Sequence, residues 1–446
     1  MSLYTRSRFF YWFIQELGKK YKRQILFGLT IGCISLIAIQ HFILPFYLTQ
    51  AKKTEYIGIV GDYTVSTLPD YILKQISYGL TQIDESGTIS PGLASSWEAT
   101  DSGKKYVFQI NTNITWHDGT KVTLNDINYN IKDVTVTKNP PETITYQIPM
   151  SYSPFLTVVS KPLFKKGLVG YGSYYVSSLL FKGGSFLSLT LSSHNKNIAH
   201  KMYKFYKTES QAILAYKQGE VDRIEGLLHY DEGITKWKNT TVTNDVNYDR
   251  MVSIFFNVKD PVLQEKSIRQ ALAYAIPDLS EARAYSPIGK TSWAYTDTVK
   301  KYDFDEKQAK KLFEASKVAT ASGSITLYTF SPYLSVAKTI AEHWTKLGIP
   351  TEVKVENTLP SSYQALLTAR DIPKDPDQYA FWHSTQSTSN ITNYANPKID
   401  KLLEDGRAEI DPEERIKIYT DFQKRLVDEA PAIFLYYPKT YTIQRK

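Results

Sequence analysis

Side-chain chemistry needs a nucleophile beside a base, or ligands gathered around a metal, and this chain of 446 residues shows neither at a working spacing. It contains no His-Glu-x-x-His, no Gly-x-Ser-x-Gly and no cysteine pair, Cys33 being its single cysteine. Gly289, Lys290 and Thr291 imitate the end of a phosphate-binding loop, but Ala284 stands where the earlier glycine is required. The seven histidines are scattered, with no pair at metal-ligand spacing. These residues point away from catalysis, from a resident metal and from a cofactor.

The elements that position the rest divide sharply. Ile25 to Leu48 is an unbroken apolar run without a charged side chain, long enough as a helix to cross about 30 Å of hydrocarbon. Arg6, Arg8, Lys19, Lys20, Lys22 and Arg23 precede it, whereas only Lys52 and Lys53 follow closely, so the positive-inside bias keeps the N-terminus in the cytoplasm and everything after Leu48 outside. A cleaved signal peptide would have a shorter core, of about 7–15 residues, and a small-residue cleavage site, for which only Thr49, Gln50, Ala51 offers a match. Lipid attachment at Cys33 is disfavoured because that residue sits inside the apolar run rather than at its end. The aromatic stretch Phe9 to Ile14 suits the inner headgroup layer, and Gly28 with Gly32 would permit close helix pairing.

The formal charge of +8 suggests nucleic acid only until it is located. The first 53 residues hold eight basic side chains and one acidic, leaving 45 basic against 44 acidic in the remainder, a near-neutral surface with no field for phosphates. With 42% hydrophobic residues the remainder can bury a full core, and its length favours two lobes. The stretch Glu55 to Ile131 reads as strands and hairpins, with a tight turn at Asp118-Gly119. Thr123 and Asp126 form a capping-box pattern that predicts a helix through Ile127, Tyr129 and Ile131. Further helices are expected at Glu209–Gly219, Lys266–Ala275, Glu306–Ala315, Ser335–Leu347 and Pro397–Arg407, and a strand at Met251–Val258, an alternation that indicates an α/β domain.

A series of ordered motifs runs through this domain. Ile76-Ser-Tyr-Gly-Leu-Thr81 leads to Ile89-Ser-Pro-Gly-Leu-Ala-Ser-Ser-Trp-Glu98, Asp101-Ser-Gly-Lys-Lys-Tyr106, Trp116-His-Asp-Gly119 and Thr123-Leu-Asn-Asp126. Val169-Gly-Tyr-Gly-Ser-Tyr174, Gly219-Glu-Val-Asp222, Phe256-Asn-Val258 and Ile268-Arg-Gln-Ala-Leu-Ala-Tyr-Ala-Ile276 follow. Asn396-Pro-Lys-Ile-Asp400, Asp411-Pro-Glu-Glu-Arg415 and Ala430-Pro-Ala-Ile-Phe-Leu-Tyr-Tyr437 close the series. Together they resemble the extracytoplasmic solute-binding proteins of ABC importers, in particular the family 5 dipeptide/oligopeptide-binding group, over nearly everything after Tyr56.

The resemblance implies a two-lobed periplasmic-binding-protein-like (type II) α/β fold with an interlobe cleft, preceded here by one transmembrane helix. The expected organisation is a cytoplasmic segment at 1–23, an anchor at 24–48 and a solute-binding domain at 54–446. Its larger lobe would cover about 54–250 plus 428–446 and its smaller lobe about 259–427, with Asn257 and Tyr436 on the crossings. Trp97, Trp116, Gly119 and Pro91 are expected to pack the first lobe. A shortened stretch between Ile276 and Ser286 implies a trimmed smaller lobe.

In peptide-binding relatives an aspartate of the smaller lobe pairs with the peptide's α-amino group. The matching region here is Leu366 to His383, with Asp371 as the best counterpart and Asp375 as the competing choice. Tyr78, Asn257, Trp382 and His383 complete the expected ligand-binding set. The implied function is peptide binding and delivery to a permease and ATPase on other chains. The alternatives are a non-peptide solute (nickel chelate, sugar or cofactor) in the same fold, or a membrane-anchored receptor without transport, for which the short basic N-terminal segment supplies no signalling domain. Protease added to intact cells is expected to digest the large domain. N-terminal sequencing is expected not to find a mature chain starting near Lys52, a result that would replace the anchor with a cleaved signal.

Overall fold

The computed structural model describes residues 3–43, 54–316 and 323–446. Near the N-terminus, helix Leu3–Lys20 is followed by helix Lys22–Ala38, which ends in a π-helical turn at Ile39–Ile43. The 20-residue span Lys22–His41 is long and apolar enough to cross a membrane by length and composition. Within it Thr30 Oγ1 donates to the carbonyls of Leu26 and Phe27 at 3.0 and 2.9 Å, so it needs no partner from outside the helix. The end of the apolar run, from Leu44, lies outside the described residues.

The rest of the chain is built on two large sheets. The first has seven strands in the order Thr240–Val246, Lys439–Arg445, Arg223–Leu227, Thr54–Val60, His200–Tyr206, Ser185–Ser192 and Tyr175–Lys182. Thr54–Val60 and Arg223–Leu227 run parallel, and the C-terminal strand lies antiparallel between Arg223–Leu227 and Thr240–Val246. A four-stranded antiparallel sheet, Ala94–Thr100, Lys105–Ile110, Thr143–Gln147 and Thr135–Asn139, belongs to the same half of the chain. Its aromatic core of Tyr106, Phe108, Trp116, Tyr146 and Phe155 is fully buried. Trp116 thus packs as expected, while Trp97 lies partly buried against the same cluster. Gly119, at φ +83°, makes the expected turn, its N–H donating to Trp116 O at 2.9 Å.

The second large sheet orders Ala282–Arg283, Ala432–Tyr437, Arg250–Phe256, Ala365–Asp371, Ile325–Thr329 and Thr351–Val355. Phe256 meets Trp344 on one face, and Phe255 meets Trp382 on the other, so helices cover both sides. The chain passes between the two sheets at residues 247–249 and again at Pro438, where the Asn247 N–H donates to the Pro438 carbonyl at 2.9 Å. Ala432–Tyr437 is buried at every position, which is why it joins the middle of the second sheet, and only Lys439–Arg445 returns to the first. The strand pairing therefore differs from the expected division near residue 428. Asn257 and Tyr436 also lie off the crossings: Tyr436 pairs with Val252 and Arg283 inside the sheet, and Asn257 sits at the strand's far end.

One expected helix does not form. The capping box at Thr123 and Asp126 is present, but it closes a single 3-10 turn, Leu124–Asp126. Asn130 and Asp133 take φ of +48° and +59°, outside the helical region, and Tyr129 instead spans the core to donate to Val159 O at 2.6 Å. The other predicted helices appear within a residue or two of their expected ends.

The second sheet's helices are locked by a buried cation. Arg269, 3% exposed, donates Nε to Ala430 O at 3.0 Å, Nη1 to Leu263 O and Gln264 O at 2.9 and 2.8 Å, and Nη2 to Glu429 O at 2.6 Å. These bonds tie helix Lys266–Tyr274 to the C-terminus of helix Pro412–Glu429, whose last carbonyls have no helical partner. Because each buried acceptor left bare costs ~1–3 kcal/mol, Arg269→Met is expected to lower unfolding free energy by at least about 3 kcal/mol in urea titrations of the full chain.

Candidate functional site

Asp371 is the last residue of an inner strand of the second sheet, directly opposite Arg250 across the antiparallel pair. Arg250 opens the neighbouring strand immediately after the 247–249 crossing, so both charges stand where the two halves of the body meet. Their side chains are 87% and 49% exposed, and the carboxylate lies 3.8 Å from Arg250 Nε. Tyr63 of the first half and Tyr333 of the second are both held above the usual phenol range by burial, and both feel Arg250 and Asp371. An exposed carboxylate paired loosely with an arginine, and two tyrosines, thus converge from both halves.

The halves touch around this point. Trp293 N–H donates to Ser86 O at 3.2 Å, and Ser153 N–H donates to Arg407 O at 2.9 Å. The first-lobe turn approaches so closely that a Cβ at Gly87, where φ is +86°, would lie 2.5 Å from the Lys374 carbonyl oxygen. Backbone next to Asp371 is therefore part of the contact between lobes.

The remaining expected residues fall in different places. Trp382, 3% exposed, donates Nε1 to Gln378 Oε1 at 3.3 Å and lines, with Asp371, one small recess of about 30 Å³. Asp375 is turned inward, where Arg415 binds it with two nitrogens at 2.8 and 3.3 Å. Burial works against the charge on Arg415, but Asp375 outweighs it and the guanidinium is held above its ordinary pKa. His383, 4% exposed, stacks on Tyr379 at 4.0 Å, with Nδ1 at 2.8 Å from Thr385 Oγ1 and Nε2 at 3.3 Å from Glu404. Tyr78 packs against Tyr171 within the first half. Asn257 donates Nδ2 to Tyr363 O at 3.2 Å and accepts from Lys259 N–H, which makes it a loop fastener. The structure brings Asp371 and Trp382 to one recess and leaves the other four away from it. Arg250, Arg370, Tyr63 and Tyr333 were not foreseen; the available signal was an arginine directly before the apolar run Met251–Phe256, which cross-strand pairing sets opposite Asp371.

Residues 88–153 and 161–396 match the family model for bacterial extracellular solute-binding proteins, family 5 (middle region). The chain belongs to that family. This solute-binding protein is 23% identical to the oligopeptide-binding protein AppA of Bacillus subtilis, over 81% of this chain and 80% of that one. It is also 23% identical to a probable D,D-dipeptide-binding periplasmic protein, DdpA, of Escherichia coli, covering 84% of each. Among solved structures, NikZ of Campylobacter jejuni in complex with Ni(L-His) superposes with a TM-score of 0.73 at 21% identity, over 89% of this chain and 94% of that one. That likeness establishes the two-lobed binding-protein fold. Among the described residues there is no group of three or more side chains able to hold a metal ion.

The contrast between the two aspartates is testable without a ligand. Removing one partner of a buried pair leaves an uncompensated charge, so Arg415→Met is expected to lower stability by about 3–5 kcal/mol. Asp371→Asn, at an exposed pair, is expected to change it by less than ~1 kcal/mol. Chemical denaturation of the two variants side by side checks both values.

Proposed function

We propose that this solute-binding protein is the membrane-anchored, extracytoplasmic receptor of an ABC importer and that it binds di- or oligopeptides in the cleft between its two halves. The permease and ATPase are other chains, and the span Lys22–His41 is the anchor. The names of its relatives AppA and DdpA support the peptide reading. The observation that carries it is the division of labour between two nearby aspartates: Asp375 is consumed by Arg415, while Asp371 stands exposed at the meeting point of the lobes.

A peptide ammonium placed on Asp371 would meet a carboxylate that no buried cation holds, and the pairing would offset the hydration that the carboxylate gives up. When the lobes close over the ligand the pair is desolvated and becomes stronger. Contacts made only in the closed form shift the population towards it, and no other source of differential affinity is needed. The function is binding and presentation, consistent with membership of a solute-binding family.

Loss of one partner of a desolvated charge pair costs ~2–5 kcal/mol, and ~1.4 kcal/mol is a factor of ten. Asp371→Asn is therefore expected to weaken binding of a short peptide at least about 30-fold. N-acetylation of the same peptide should cost the wild type a comparable amount and the variant little more, since both changes delete one pair. Calorimetry on the four combinations decides it. Additive losses, or a variant that binds normally, would remove α-amino recognition from Asp371 and favour a non-peptide solute.

A further inference from the structure

The first lobe carries an apolar surface that its own core leaves uncovered. Strands Tyr175–Lys182 and Ser185–Ser192 form a hairpin closed by Gly183 and Gly184, whose φ of +61° and +84° lets the chain reverse within two residues. Beside that turn Leu179, Leu180, Phe181 and Leu187 are between 40% and 54% exposed. Apolar side chains scattered singly over a surface are ordinary, but four at one hairpin tip form a patch that something is to cover.

The topology says where the tip stands. Thr54–Val60 and Thr240–Val246 run in one direction, so the end of the sheet from which the 247–249 crossing leaves is also the end at which Thr54–Val60 finishes. The hairpin turns at that same end: the Phe186 N–H donates to the Tyr63 carbonyl at 2.8 Å, and the Gly61 N–H donates to Tyr206 O at 2.8 Å. The Ser185 hydroxyl and Lys207 also bind the Asp62 carboxylate and hold its pKa below the usual range. An aromatic ladder then runs outward, from Tyr63 to Phe205 at 5.5 Å between centroids, to Phe186 at 5.8 Å and to Phe181 at 4.4 Å. Its first ring is the tyrosine that feels Arg250 and Asp371, and its last is exposed at the tip.

Two other occupants fit less well. Register shifts at Val176/Ser178 and Leu180/Phe181 break the outer strand, which makes it a poor template for pairing with a second copy. The N-terminal stretch joins this sheet at the opposite end of Thr54–Val60, ~20 Å along the strand, so an anchor there does not bring the tip to a lipid surface. We propose that the hairpin tip is a distal apolar lip of the cleft, on which Leu180, Phe181 and Leu187 receive an apolar side chain of a peptide whose ammonium rests on Asp371. The inference rests on the reading of Asp371 given above and narrows the substrate class. Three strand spacings of ~4.8 Å separate Thr54–Val60 from Tyr175–Lys182, and an extended peptide advances ~3.4 Å per residue, so that side chain belongs about four residues beyond the N-terminus. A dipeptide is too short to reach the lip, and the fitting ligand is an oligopeptide of about five residues or more with a large apolar side chain near its fifth position.

Calorimetry on the full chain in lipid nanodiscs, where no detergent competes for the tip, tests this with an alanine hexapeptide amide and its variants carrying Leu at one of positions 2 to 6. Leu at position 4, 5 or 6 is expected to tighten binding about ten-fold over the all-alanine peptide, the part of a leucine's burial that a one-sided lip recovers. Leu180→Ser and Phe181→Ser should each remove that gain, measured on the same variant against the all-alanine peptide. Leu180 is exposed, so its variant is expected to fold and decides the matter if Phe181→Ser does not. Wild-type gains within about two-fold at positions 4 to 6, a gain confined to positions 2 and 3, or variants that keep the full gain would overturn the lip. So would a full chain that sediments as a dimer and becomes monomeric in Leu180→Ser, which would assign the tip to a second copy. N-acetylating the peptides separates the lip from its anchor. A loss on acetylation without a positional gain removes the lip and spares Asp371, a positional gain without that loss does the reverse, and wild-type protein that binds none of the peptides overturns both.

Discussion

The bidentate pair between Asp375 and Arg415 decides what the neighbouring charges are free to do. Arg415, 6% exposed, also donates Nε to the Gly406 carbonyl at 3.0 Å, so it binds the segment after Asp371 to the junction of the last two helices. Two residues after Asp375, Asp377 accepts from two nitrogens of Arg407 at 3.0 and 2.8 Å, and the Arg407 guanidinium lies 3.9 Å from the centroid of Tyr379. These contacts leave the Asp-Pro-Asp stretch no freedom to turn towards a ligand. They also hold Ile372 to Lys374 against the first lobe, which leaves Asp371 at a fixed strand end with its carboxylate in solvent.

Strand Arg250–Phe256 links that geometry to motion. It begins one residue after the first crossing, pairs with Ala365–Asp371 on one side, and pairs on the other with Ala432–Tyr437, which ends one residue before the second crossing. Both connections between the halves therefore leave from the same two neighbouring strands, and they are tied to each other by the Asn247–Pro438 hydrogen bond. A rotation about these short segments changes few dihedral angles and leaves both sheets intact, the economy expected of a hinge. Arg250 and Asp371 lie beside these segments, and the Ser86–Gly87 turn meets Trp293 and Lys374 across the two halves.

Much of this was legible in the sequence because it depends on local rules. Thr208 and Gly219 bracket their helix, Asp305 and Asp411 cap theirs, and each acts as the residue type predicts. The helix expected after Thr123 failed because its cap was read correctly while the backbone demands of Asn130 and Asp133, and the reach of the Tyr129 hydroxyl, are tertiary facts. The boundary near residue 428 failed for a similar reason: an apolar run such as Ala432–Tyr437 belongs in some sheet centre, but sequence does not say which sheet. Within the site, Asp371 and Asp375 looked alike because each follows a strand and precedes a proline-containing turn. What separates them is Arg415, some 40 positions away.

The same distinction explains why this fold accommodates unlike ligands. Charges that hold the second lobe together, Arg269, Arg415 and Asp375, are buried and saturated by carbonyls or by each other, so altering them threatens folding. Charges where the halves meet, Arg250 and Asp371, add little to stability, because both are solvated. Substitution at the cleft is therefore nearly free of structural penalty, and relatives with about a fifth of their residues in common superpose closely while one of them holds a nickel complex and another a nonapeptide.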